Sequence, residues 1–185
     1  MINWKLIYKV LGQLLFIEAS LLLLSLLVAV YYQQEDIFAF IVATLTTIGG
    51  GLILKWRGHG ADNSMSRRDA YLVVSLSWII FSLFGTLPFM VSGYINHFTD
   101  AYFETMSGFT TTGATILTDV EAMPRGILFW RALTQWMGGM GVLVLFLALT
   151  PKLGEGAVFL MRAESPGPIK TKLVPKVGGT AKILY

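Results

Sequence analysis

Four stretches of this chain are apolar over about 20 residues each, the length a helix needs to cross a hydrocarbon core about 30 Å thick. They run from about Val10 to Tyr32, Ile37 to Trp56, Ala70 to Tyr94 and Gly126 to Leu149. Charged residues make up only 14% of the chain against 55% hydrophobic ones. A soluble domain carries about 25% charged residues, so there is too little polar surface here to coat a water-facing globule. The expected class is an all-α integral membrane protein. The net charge of +3 is too weak a surplus for nucleic-acid binding. The chain has no cysteine and only His59 and His97, which excludes disulfides, thiol chemistry and the usual zinc sites. No nucleophile–base or metal constellation points to an enzyme, and no cofactor is expected.

Between the third and fourth stretches, His97 to Arg125 reads HFTDAYFETMSGFTTTGATILTDVEAMPR. Its apolar part, Ala101 to Phe109, is too short to cross, and the threonines and glycine that follow could not face lipid. Irregular backbone survives at membrane depth only when it is buried in protein or lines a watery cavity. The segment therefore reads as a re-entrant loop. Lysine and arginine alternate in the loops as the positive-inside rule requires. Lys5 and Lys9 precede the first span, Lys55, Arg57, Arg67 and Arg68 follow the second, and Lys152 to Lys182 follow the fourth. Both termini are thus expected inside, and the loop enters from outside with an acidic mouth of Asp100, Glu104, Asp119 and Glu121. The first apolar run is longer than a signal peptide's h-region and lacks a clear cleavage site, so an uncleaved inner-membrane protein is expected.

Within the loop, Thr99 and Asp100 suit a helix N-cap, and a short pore helix is expected from Asp100 through Glu104 to Ser107, stopped by Gly108. The partly negative end of a helix that descends from outside would stabilise a cation inside the membrane. Thr110, Thr111, Thr112, Gly113 and Ala114 would return as a strand whose carbonyls replace an ion's hydration shell. Gly113 suits backbone angles that a residue with a Cβ tolerates poorly. Residue types and spacing support a cation pore and no finer selectivity.

Outside the loop, Gly138, Gly139 and Gly141 read as a close helix contact rather than a gate. Arg131, at the start of the fourth span, needs a partner or water: an acidic residue behind the filter and the outer surface are both open to it. Glu18, mid-span, is expected to make a structural hydrogen bond. Gly49, Gly50 and Gly51 have neither the lysine nor the strand of a phosphate loop.

The runs SGFTTTGAT, FWRALTQWMGGMGVLVLFLALTPKLGEG and MRAESPGP closely resemble the TrkH/TrkG/KtrB superfamily of potassium uptake proteins, the TrkH branch most of all. The likeness extends over almost the whole chain, since two helices ahead of the first pore repeat are also a trait of that branch. It implies two peripheral transmembrane helices (1–69), one helix–pore-loop–helix repeat (70–150) and a basic cytoplasmic linker leading to a next helix (151–185). It implies potassium as transported substrate, held through Thr111, Thr112 and Gly113 in a filter of Thr110 to Ala114, in a bacterial inner membrane. It further implies a homodimer and a cytosolic nucleotide-binding regulatory ring, besides membrane lipid, as partners. The family has four pore loops in one polypeptide and this chain has one. The expectation is a piece of a longer transporter, with a one-repeat tetrameric subunit or a non-conducting assembly subunit as alternatives.

Overall fold

The computed structural model describes residues 2–62, 64–139 and 141. Most of the fourth span beyond Gly139 and the linker expected over 151–185 lie outside the described residues. The described residues form six helices and no strand: α1 Trp4–Tyr32, α2 Ile37–Arg57, α3 Arg67–Gly85, α4 Leu87–Val91, α5 Phe98–Phe109 and α6 Arg125–Gly139.

By length and composition α1, α2 and the α3–α4 pair are each able to cross a membrane. α1 starts at Trp4, nearly two turns before its apolar run, because Asn3 accepts the Leu6 amide at 3.2 Å and caps it. Its 29 residues extend about 43 Å at 1.5 Å per residue. Leu6, Ile7, Val10, Leu11, Leu14, Leu15 and Leu22 bury one face of α1 almost completely, and that helix packs against α2, α3 and α6. α1 and α2 form a hairpin whose backbones nearly touch. A Cβ on Gly12 would lie 2.8 Å from the Lys55 amide nitrogen and 2.9 Å from the Gly51 carbonyl oxygen. Small residues permit that approach, so Gly51 is interior to α2 rather than at its end.

The third span is not one helix. α3 opens with a capping box, Ser66 Oγ accepting the Asp69 amide at 3.2 Å and Asp69 Oδ2 accepting the Ser66 amide at 3.0 Å. It stops at Gly85, and α4 begins after Thr86 with Pro88 in its first turn. Proline has no amide hydrogen, and its ring clashes with the carbonyl four residues back, here Phe84. The break exposes the Gly85 carbonyl, which accepts the Trp130 indole N–H at 3.0 Å.

Candidate pore loop

α5 is 12 residues long, about 18 Å, and cannot cross a bilayer. It starts two residues before the expected helix, with His97 at the N-cap and no side-chain cap bond. It also runs through Gly108, which does not stop it. A Cβ at Gly108 would collide with Thr134 of α6, so this glycine serves close packing against α6. Phe109, the last helical residue, lies 5.7 Å from Phe81 and 6.4 Å from Trp130 between ring centroids, wedging the end of α5 between α3 and α6. Gly138 supports the same spot, since a Cβ there would run into the Phe109 carbonyl. The expected glycine contact is thus made by Gly138. Gly139 has only the Thr111 methyl nearby, at 3.7 Å.

The chain reverses directly after Phe109. The amides of Thr110, Thr111 and Thr112 donate back to the carbonyls of Met106, Gly108 and Ser107 at 2.8, 3.0 and 3.0 Å, which consumes the carbonyls left open at the C-terminus of α5. Thr111 and Gly113 both take left-handed angles, φ 55° and 74°. The glycine is suited to this and the threonine is not; nothing in the residue pattern marked Thr111 as the second such position. Thr110 Oγ1 donates to the Met106 carbonyl and lies 2.8 Å from Thr112 Oγ1.

The extended segment then climbs back along α5. Ser107 Oγ donates to the Ala114 carbonyl at 2.6 Å. Glu104 takes Thr115 Oγ1 at 3.0 and 2.9 Å and the Ile116 amide at 3.2 Å. The two residues placed on the pore helix by the sequence thus hold the returning strand from behind. Asp100, the third, is in the first turn of α5. Residues 110 to 116 remain exposed in this chain. The carbonyl oxygens of Thr111, Thr112 and Gly113 accept no hydrogen bond from a described residue, whereas that of Ala114 is turned to Ser107.

Glu104 does not belong to an acidic mouth. Its side chain is 1% exposed and accepts the Arg131 guanidinium at 2.6 Å. Arg131 therefore has its partner behind the loop, and α6 is tied to the strand through one carboxylate. Such a pair is stronger than a neutral hydrogen bond and leaves Glu104 acceptor-only, which matches the three donors around it. Among the described residues no group of three or more His, Asp or Glu side chains could hold a metal.

The α1–α2 turn secures α6 from the other side. Gln34 Oε1 accepts the Arg125 amide at 2.6 Å, and Asp36 lies so close to Gly126 that a Cβ there would strike its Oδ2. Burial raises the Asp36 carboxyl above its ordinary pKa, while its own amide and those of Ile127 and Gly126 oppose that rise. Glu18 departs from expectation: it is fully buried and, among the described residues, neither oxygen has a hydrogen-bond partner.

Residues 32–185 match the family model TrkH, described as cation transport protein. The chain is 39% identical over 183 residues to the Trk system potassium uptake protein TrkH of Halomonas elongata, covering 98% of this chain and 38% of that protein. It is 38% identical to the Trk system potassium uptake protein TrkH of Salmonella typhimurium, over 99% of this chain and 38% of the relative. The crystal structure of the potassium transporter TrkH from Vibrio parahaemolyticus superposes with a TM-score of 0.76 at 31% identity, over 99% of this chain and 36% of that one. The chain thus spans little more than a third of the length of these relatives. Three membrane-length helices and a family of transporters rather than enzymes lead to one conclusion: this is a membrane protein chain that belongs to the TrkH family of cation transport proteins.

Proposed function

We propose that this chain supplies one of four pore repeats of a potassium uptake system in a bacterial inner membrane. The remaining repeats come from the same polypeptide or from other subunits, and both termini of this chain are cytoplasmic. The observation that carries this reading is the exposed turn after α5, where the carbonyls of Thr111, Thr112 and Gly113 accept no hydrogen bond from a described residue. Oxygens in that state are suited to replacing the hydration shell of a dehydrated cation. Thr110 and Ala114 frame the turn, and Ser107 with the Glu104–Arg131 pair prevents it from collapsing. That potassium is the ion rests on what the relatives are called. A homodimer, a cytosolic nucleotide-binding regulatory ring and the surrounding lipid are the partners that go with this reading.

The experiment is Gly113→Ser in the complete pore. Left-handed angles cost a non-glycine residue roughly 1–2 kcal/mol, and the strain falls where carbonyls must point at the ion. The potassium-to-sodium uptake ratio, normalised to protein in the membrane, should fall by about 5- to 30-fold if that strain is spent misdirecting a ligand. An unchanged ratio in a well-inserted variant refutes the filter.

A further inference from the structure

Behind the pore helix lies an acid that the loop does not use. Glu18, in the middle of α1, has no exposed surface, and neither carboxyl oxygen has a hydrogen-bond partner among the described residues. Oε1 faces Gly85 at the end of α3. A Cβ at Gly85 would be 3.2 Å from that oxygen, 2.8 Å from the Thr105 methyl and 3.2 Å from the Phe109 ring. The carboxyl therefore shares one pocket with α5 and with the residue that directly precedes Thr110.

The surrounding hydroxyls are committed elsewhere. Thr105 Oγ1 donates to the Ala101 carbonyl at 2.7 Å, Thr86 Oγ1 to the Ser82 carbonyl, and Ser82 Oγ to the Met106 sulfur at 3.1 Å. No ionisable side chain on the facing helices compensates Glu18. The apolar run of α2 over 37–54 and that of α3 over 72–85 contain none. α5 carries Asp100, Tyr102 and Glu104, and α6 carries Arg125 and Arg131; none hydrogen-bonds Glu18, and Glu104 and Arg131 are bound to each other.

We infer that Glu18 is a proton-binding site built behind the pore helix, one whose proton exchanges with water only when the packing of α1, α3 and α5 around Gly85 opens. An ionised carboxylate in this pocket would have neither a counter-charge nor a donor among the described residues, and a buried group in that position takes up a proton instead. A metal ion would need further anionic ligands, and among the described residues no group of three or more His, Asp or Glu side chains could hold one. Because Phe109 walls the pocket, the opening that releases the proton displaces the end of α5 and with it the turn at Thr110. The site does not depend on which cation the loop passes.

Infrared spectroscopy of the protein in lipid vesicles, with glutamate carboxyls labelled by carbon-13, tests this. At neutral pH the labelled spectrum should contain the carbonyl band of a protonated glutamic acid. That band should vanish in Glu18→Gln and persist in Asp36→Asn, and in wild type it should shift slowly after transfer to heavy water. Should Glu18→Gln not insert, Glu18→Asp moves the group out of the labelled set and must remove the band as well. A wild-type spectrum with only ionised glutamates, or a band that survives loss of Glu18, overturns the site. A band that shifts at once in heavy water overturns its link to the packing.

Discussion

Replacing Glu104 by glutamine tests how the loop is held, because it keeps the side chain's shape and removes its charge. In the wild type one carboxylate accepts the Arg131 guanidinium at 2.6 Å, the Thr115 hydroxyl at 3.0 and 2.9 Å and the Ile116 amide at 3.2 Å. Glutamine has a single acceptor oxygen. Thr115 adapts by accepting from the new amide, but the Ile116 N–H and Arg131 then compete for what remains. Breaking a buried ion pair costs about 3–5 kcal/mol. Arg131 is 19% exposed and recovers some hydration, which places the expected loss nearer to about 2–3 kcal/mol. At about 1.36 kcal/mol per decade this is roughly 30- to 150-fold in the equilibrium that keeps the strand on α5. Hydrogen exchange at the Ile116 amide reads that equilibrium directly and should speed up by the same factor. A double-mutant cycle on thermal unfolding in detergent, with Arg131→Gln as the second arm, should give a coupling above about 1 kcal/mol. If Ile116 exchanges at an unchanged rate, or the coupling falls below about 0.5 kcal/mol, the pair does not support the loop.

Gly138→Ala should lower stability by about 1–3 kcal/mol, the usual range for overpacking, because its methyl runs into the Phe109 carbonyl. Gly139→Ala, with only the Thr111 methyl at 3.7 Å, should leave the melting temperature nearly unchanged, and equal effects would contradict the packing described here. Asp36 binds its proton more tightly in the folded state than its ordinary pKa of 3.8 allows, so its contribution favours folding at acid pH and is lost as pH rises through the raised value. Asp36→Asn should therefore raise the melting temperature at neutral pH and flatten its decline between pH 3.8 and neutrality; a steeper decline refutes the sign. A tag at Gln33 or Glu121 should label from the periplasmic side of intact cells and one at His59 should not, and the reverse pattern would invert the proposed topology.

The first three apolar runs were legible because crossing a bilayer requires only length and composition, and both can be counted; the fourth runs beyond the described residues. The sharp break after Gly85 lies inside the run from Ala70 to Tyr94 that reads as one span, because the clash of Pro88 acts four residues upstream. Gly108 was misread as a stop because propensity alone marks glycine as a terminator, while its packing against Thr134 is tertiary. Glu104 was placed on the right helix and given the wrong task. Its partners lie 11, 12 and 27 residues away, and no local pattern announces contacts at those separations. Gly113 was recognisable by residue type, whereas the left-handed Thr111 was not, since threonine rarely takes that conformation. Glu18 was expected to find a hydrogen bond because most buried polar groups do.

The α1–α2 turn has a consequence for how the protein is made. Gln34 and the amide it accepts from, at Arg125, are 91 residues apart, and the N-terminal member leaves the ribosome first. The hairpin of α1 and α2, already closed at Gly12 and Gly51, can settle in the bilayer while the pore loop is still unsynthesised. It then presents a ready acceptor, the Gln34 side-chain oxygen, to the Arg125 amide at the head of α6. α6 thus arrives at a template rather than searching for a partner, and errors in the early hairpin would be inherited by the loop held between α5 and α6.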